Sequence, residues 1–336
     1  MALRMMAMAL LATAWAGAAA AQRPQAPRDL PTVPVGAAQG DPMPDRALAF
    51  PAGVTAHADV IYSVVPGFRP LRLDVYNQAG AGPRPLVIYI HGGGWVGGHT
   101  RAAAAIADFP AALARLAAEG FVVASLEYRL GGEAPHPAQL QDVRAAIRFL
   151  KANAVRFGVD ASRIALWGGS AGGHLAALAA TSCRDASLDP PAAAGQPAPV
   201  AGDTCVQAAA IWYGVFDFAT LRQGPSLNGP TGLLLRCNGA DCPADRLASV
   251  SPAHYFSRND PPFLLVHGLN DRTVPVAQSQ LAEAALKANG VPVQAIYIPA
   301  VDHSFLGADA ATTHAATMQA VNATFNFFHD RLGAAK

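Results

Sequence analysis

The residues that could do chemistry fall in four short stretches. The first is Gly168-Gly169-Ser170-Ala171-Gly172-Gly173, which follows an apolar run and opens an Ala/Leu-rich segment. It reads as G-x-S-x-G in a strand-turn-helix setting. Such a turn is sharp enough to strain the serine backbone, and only small neighbours at Gly168 and Gly172 let strand and helix approach so closely. The outcome is a hydroxyl held above the end of a sheet, where it can act as a nucleophile. The second stretch is His91-Gly92-Gly93-Gly94-Trp95, directly after the apolar run from Leu86 to Ile90. Three successive glycines leave backbone N–H groups unshielded. Gly93 and Gly94, with the N–H of Ala171, are therefore candidate donors to a developing oxyanion. The loop lacks the Lys-Ser/Thr pair that a phosphate-binding P-loop requires.

A serine nucleophile needs a base, and the base needs an acid to hold its tautomer. Searching in the order Ser, Asp/Glu, His finds Asp271 beyond the apolar run Phe263 to Val266, and His303 beyond the run Val293 to Ile298. Competing groups are placed less well. His267 sits at a strand end and is expected to be packed structurally, His174 follows the nucleophile on its helix, and His314 and His329 fall on the last helix. Asp302 adjoins His303, but neighbours in an extended loop point apart, and Asp260 precedes its strand and belongs at the wrong edge. Arg129 and Asp142 are expected to form an ion pair that pins a loop beside the site. The chemistry that Ser170, His303 and Asp271 would carry is attack on an acyl carbonyl through an acyl-enzyme.

These residues need elements to hold them. Alternating runs near Val60 to Val65 and Leu71 to Tyr76 suit antiparallel edge strands. From Leu86 onward, short apolar runs alternate with helix-like stretches, the pattern of a mostly parallel sheet covered by helices on both faces, hence an α/β fold. The expected strands are Leu86 to Ile90, Phe121 to Leu126, Arg163 to Trp167, Gln207 to Tyr213, Phe263 to Val266 and Val293 to Ile298. The expected helices are Ala102 to Ala118, Gln139 to Phe157, Ala171 to Thr181, Ala277 to Asn289 and Ala311 to Leu332. No internal repeat is visible, and Asn322-Ala323-Thr324, a glycosylation-like triplet, falls on a helix.

The chain has 336 residues, 52% of them hydrophobic and 14% charged, with a formal net charge of +1. That balance supports one large core and no field able to gather nucleic acid. Residues 1–21 read as a secretory signal peptide: Arg4 opens a basic region, an apolar stretch runs from Met5 to about Ala18, and Ala19 to Ala21 precede a cleavage site. The apolar stretch is shorter than a membrane span of roughly 20 residues, so no stable membrane anchor is expected, and the mature protein would be secreted or periplasmic. Export favours pairing of the four cysteines. Cys237 and Cys242 share a loop-like segment, leaving Cys183 for Cys205, although free buried thiols are an alternative. Residues 22–55 are rich in Pro, Ala and Gly and read as an irregular arm, with residues 56–336 forming the catalytic domain. No metal or organic cofactor is implied.

With its motifs assembled, the chain resembles the esterase/lipase branch of the α/β-hydrolases that carries HGGG and GxSAGG, the hormone-sensitive-lipase-like group. Within it, the nearer resemblance is to bifunctional acetylxylan and feruloyl esterases. The resemblance runs from about Val60 to the C-terminus, through His91 to Trp95, Glu127 to Leu130, Pro137 to Asp142, Trp167 to Ala176, Pro261 to Gly268 with Asp271, and Asp302 to Phe305. It implies an α/β-hydrolase fold and a carboxylester hydrolase acting on short-chain acyl or carbohydrate-linked esters, small or attached to polysaccharide. Two departures stand out. A Pro-rich arm replaces the helical cap usual in this group, so no large cap is expected, and Arg272 follows Asp271 where relatives often have Pro. Stretches Thr181 to Asp203 and Arg222 to Ser249 look like insertions that shape the pocket. A serine peptidase of the prolyl-oligopeptidase kind, or a non-catalytic binding protein on the same scaffold, are the competing readings.

Overall fold

The computed structural model describes residue 29 and residues 47–78, 80, 82–190, 200–221, 229–238 and 241–333. Nine strands form one sheet in the order β1-β2-β3-β5-β4-β6-β7-β8-β9. They are β1 (Ala47–Phe50), β2 (Val54–Ser63), β3 (Leu71–Gln78), β4 (Arg84–Ile90), β5 (Val122–Leu126), β6 (Val159–Gly169), β7 (Ala208–Trp212), β8 (Phe263–Gly268) and β9 (Val293–Ile298). The first three pair antiparallel, β3 meets β5 antiparallel, and every pairing from β5 to β9 is parallel.

Helices cover both faces, as the alternation along each strand requires. Leu86, Ile88 and Ile90 of β4 and Ile164 and Leu166 of β6 point into one core. Helices α2 (Ala138–Ala152), α4 (Ala171–Thr181) and α8 (Ala277–Ala288) close that side. Val87, Tyr89, Ala165 and Trp167 point into the other core, closed by α1 (Phe109–Ala118) and α9 (Ala310–Leu332). Strands buried on both faces need continuous apolar runs, which is why β4 and β8 were legible as such. The short helices α3 (Ala154–Phe157), α5 (Phe218–Leu221), α6 (Pro230–Leu235) and α7 (Ala244–Val250) complete the described set.

Four expectations need correction. The segment 22–55 is not irregular throughout: Ala47–Phe50 is a strand that hairpins onto β2 through a tight turn at Pro51–Gly53, with Ala52 at φ 60°. A four-residue strand is too short to show alternation. Helix α1 starts at Phe109 rather than Ala102, because Asp108 caps it by accepting the N–H of Ala111. The expected Gln139 to Phe157 helix breaks at Asn153 (φ −104°, ψ 23°) into α2 and α3. Strand β2 also ends at Ser63 rather than Val65.

The signal peptide and most of the arm lie outside the described residues. Among the described residues, no helix is long and apolar enough to cross a membrane. Cys183 is bonded to Cys205, and Cys237 to Cys242.

Candidate active site

Ser170 sits between β6 and α4 with φ 56° and ψ −122°, backbone that L-residues rarely adopt. Crowding explains it. A Cβ on Gly168 would run into the Gly172 carbonyl, and one on Gly172 into the carbonyls of Ile90 and His91. The strained turn is held from both sides: the Ser170 N–H donates to the Trp212 carbonyl (2.9 Å), and the Ser170 carbonyl accepts the N–H of His174 (2.9 Å).

The chain brings Ser170, His303 and Asp271 together from the ends of β6, β9 and β8. His303 Nε2 lies 2.9 Å from Ser170 Oγ, and His303 Nδ1 lies 2.8 Å from Asp271 Oδ2. The other carboxylate oxygen of Asp271 accepts the N–H groups of Thr273 (2.9 Å) and Val274 (2.8 Å). Burial pushes the Asp271 carboxyl up, but hydrogen bonds from His267, His303 and the Val274 backbone outweigh it and hold the group well below the usual carboxylate range. His267 is therefore more than packing. Its Nε2 lies 2.9 Å from the Val274 carbonyl and 3.2 Å from Asp271 Oδ2, and its Nδ1 lies 2.7 Å from Ser279 Oγ.

Asp302, set aside as the orienting acid, contacts the backbone of His303 rather than its ring. It accepts the N–H of His303 (2.7 Å) and that of Arg272 (2.9 Å), tying the loop of His303 to the loop of Asp271. His174 is buried and accepts from Trp95 Nε1 (3.0 Å), with burial lowering it to about 3. His329 pairs with Glu119 and His314 with Asp29, away from Ser170. Asp260 bonds Ser257 (3.0 Å). Arg129 and Asp142 form the expected ion pair at 2.7 Å.

Gly92, Gly93 and Gly94 line a cavity with Ser170 and His303. Gly93 has φ 108° and Gly94 φ 61°, and a Cβ on Gly93 would fall on the Gly97 carbonyl, so no other residue fits there without moving the loop. The Gly93 carbonyl accepts the N–H groups of Val96 and Gly97, both at 3.1 Å, which curls the loop. Ala171 is buried at the first position of α4, beside Ser170.

Sequence reasoning missed the anchor of this loop. Asp74 on β3, 1% exposed, accepts from Thr100 Oγ1 (2.9 Å), Arg101 Nε (2.8 Å), Arg101 Nη2 (3.1 Å) and the Asp59 N–H (2.9 Å). A carboxylate within the apolar run Leu73-Asp74-Val75-Tyr76 was the available signal. Tyr213, at the end of β7, was also missed; its ring meets His303 edge-on with centroids 4.7 Å apart. Of the two insertions, Pro230 and Thr231 line a second cavity at Ser170, while residues 222–228 lie outside the described residues. The described part of Thr181 to Asp203 lines neither cavity and borders a separate one beside the Cys183–Cys205 bond, so it does not shape this site.

The sheet order and the strained serine at the strand-helix turn define an α/β-hydrolase. Within that class the chain belongs to the BD-FAE family, which matches residues 73–286. It is 33% identical over 254 residues to esterase LipQ of Mycobacterium tuberculosis, covering 74% of this chain and 57% of LipQ. The chain thus spans little more than half the length of the curated relatives it matches. Among solved structures, a bifunctional GH43-CE protein of Bacteroides eggerthii is 28% identical with a TM-score of 0.69, over 83% of this chain and 38% of that one. A truncated carbohydrate esterase from gut microbiota shares the fold at 24% identity and a TM-score of 0.68, over 87% of this chain and 99% of that one.

Proposed function

We propose that the protein is a carboxylester hydrolase working through Ser170, His303 and Asp271. The observation that carries this reading is the continuous hydrogen-bonded line from Ser170 Oγ through His303 to Asp271 Oδ2, at 2.9 and 2.8 Å. His303 Nε2 takes the Ser170 proton as Oγ attacks the ester carbonyl. The backbone N–H groups of Gly93, Gly94 and Ala171 receive the oxyanion, a contribution of roughly 3 to 4 kcal/mol per donor in comparable sites. The imidazolium gives its proton to the leaving alcohol. Water then repeats the sequence on the acyl-enzyme, while Asp271 holds the imidazole in the correct tautomer and balances its charge.

Short-chain acyl or carbohydrate-linked esters are the proposed substrates, supported by membership of the BD-FAE family and by similarity to an esterase and a carbohydrate esterase. The two disulfides support a secreted or periplasmic protein. The test is turnover of p-nitrophenyl acetate together with fluorophosphonate labelling. The intact protein should show both and Ser170→Ala neither; full activity in Ser170→Ala would sink the assignment.

A further inference from the structure

We propose that His99 is a specificity-determining residue for the leaving alcohol, donating a hydrogen bond from Nε2 to one of that alcohol's hydroxyl groups. The inference rests on the esterase reading above and adds the residue that sorts its alcohols.

Two cavities meet at Ser170. One, of about 400 Å³, is lined by His303, His99 and Tyr213 among others. The second, of about 330 Å³, is lined by Trp95, Val215, Leu221 and Val274, and His303 is not part of its wall. The oxygen that leaves during cleavage takes its proton from the imidazole, so it must lie on the His303 side. That sends the alcohol into the cavity that holds His99, and the acyl group into the more apolar one.

Several polar groups in the alcohol cavity are committed elsewhere. His303 serves Ser170 and Asp271. The Tyr89 hydroxyl donates to the Ala102 carbonyl (3.4 Å), His91 Nδ1 donates to the Gly92 carbonyl (2.7 Å), and Tyr213 bonds Ser304. His99 differs. Its Nδ1 lies 3.1 Å from the backbone N–H of Arg101, a group that can only donate. Nδ1 is therefore the acceptor, and in the neutral ring the proton sits on Nε2. That N–H has no partner among the described residues. The buried Arg101–Asp74 pair fixes the backbone from which the ring takes its orientation, so the donor is held in place before substrate arrives. An alkyl alcohol leaves such a donor unused, whereas a hydroxylated one, a pyranoside for example, satisfies it.

The test compares kcat/KM for an acetylated pyranoside and for cyclohexyl acetate, which share the acyl group and differ in ring hydroxyls. His99→Asn keeps an acceptor near the Nδ1 position and removes the Nε2 donor; His99→Gln carries an amide nitrogen toward the Nε2 position. The ratio of pyranoside to cyclohexyl kcat/KM should fall about 3- to 10-fold in His99→Asn, mainly through KM, and recover in part in His99→Gln. His99→Leu should show the same fall and serves if the Asn variant does not fold. A ratio within twofold of wild type in the folded donor-less variant overturns the role of His99 while leaving the esterase reading intact. A folded wild-type protein that cleaves neither ester overturns that reading, and this inference with it.

Discussion

His267 Nε2 lies 3.2 Å from Asp271 Oδ2, so the carboxylate oxygen that faces His303 also faces a second, fully buried imidazole. The Val274 carbonyl, 2.9 Å from the same nitrogen, can only accept. His267 therefore carries its proton on Nε2 and shares it between Val274 and Asp271, while Nδ1 accepts from Ser279.

Replacing His267 tests that relation. His267→Phe removes a donor from Asp271 and leaves the Ser279 hydroxyl and the Val274 carbonyl short of a partner, at a cost of about 1 to 3 kcal/mol. The sign with pH follows from the depressed Asp271 carboxyl. Such a group adds stability above its unfolded pKa of about 4 and gives it up as pH falls through the lower folded value. With one donor gone the folded value rises toward the unfolded one, so urea unfolding followed against pH should show a smaller loss of stability on acidification, complete at a higher pH, in the variant, and ester kcat/KM should drop.

Gly93 offers a test of the loop. In Gly93→Ala the new Cβ meets the Gly97 carbonyl at a φ of 108°, so the loop must shift. Loss of one oxyanion donor lowers kcat by about 100- to 1,000-fold. Steady-state kinetics on a p-nitrophenyl ester, with circular dichroism to verify folding, reads the effect; undiminished kcat would remove Gly93 from the proposed oxyanion hole.

The Asp74–Arg101 pair is buried and anchors the same loop. Asp74→Asn should cost up to about 3 to 5 kcal/mol, because it takes from the buried guanidinium the nearer of its two carboxylates and leaves it Asp59 at 3.2 Å. Asp74→Asn combined with Arg101→Met should recover part of that loss, since the buried cation is gone and Asp59 is partly open to solvent. Chemical denaturation of the two variants gives the comparison.

Two histidines set an acid limit. Burial lowers His91 to about 4 and His174 to about 3, against an ordinary value of 6.5. Below about pH 6.5 the unfolded chain takes up protons that the folded chain refuses. Stability therefore rises with pH between about 4 and 6.5, by on the order of 3 kcal/mol for each group. The urea midpoint should decline steadily over that window on acidification, and His174→Gln should flatten the slope.

The disulfides should differ in weight. Cys183–Cys205 spans a sequence separation of 22, and Cys237–Cys242 one of 5. Loop-closure entropy assigns them about 3 and about 2 kcal/mol. Paired Cys→Ser variants, unfolded in urea, should rank in that order.

What could be read in advance was what local pattern encodes. Continuous apolar runs placed β4 and β8, and glycine chemistry placed Ser170 and the Gly92–Gly94 loop. Chain order then singled out Asp271 and His303. Partners brought in from distant strands were not legible. Asp74 looks like any polar strand position until Arg101 folds over it, and the contact of His267 with Asp271 depends on how the loop after β8 turns. The extent of α1 was overread because alanine favours helix wherever nothing else competes, whereas the cap at Asp108 decides where the helix begins. Hairpin β1–β2 was missed because four residues carry too little pattern to separate a strand from an arm.

Ser170 and His303 stand 133 residues apart in the chain, joined only when β8 and β9 have added to the sheet beyond β6 and β7. The serine turn and the glycine loop can form earlier, but without the last strand they have no base. Until β9 has been made and has joined the sheet, the proposed nucleophile is thus chemically silent. Under the proposed function, hydrolysis would begin at once when that strand docks, so the first turnover of substrate would itself report that β9 is in place.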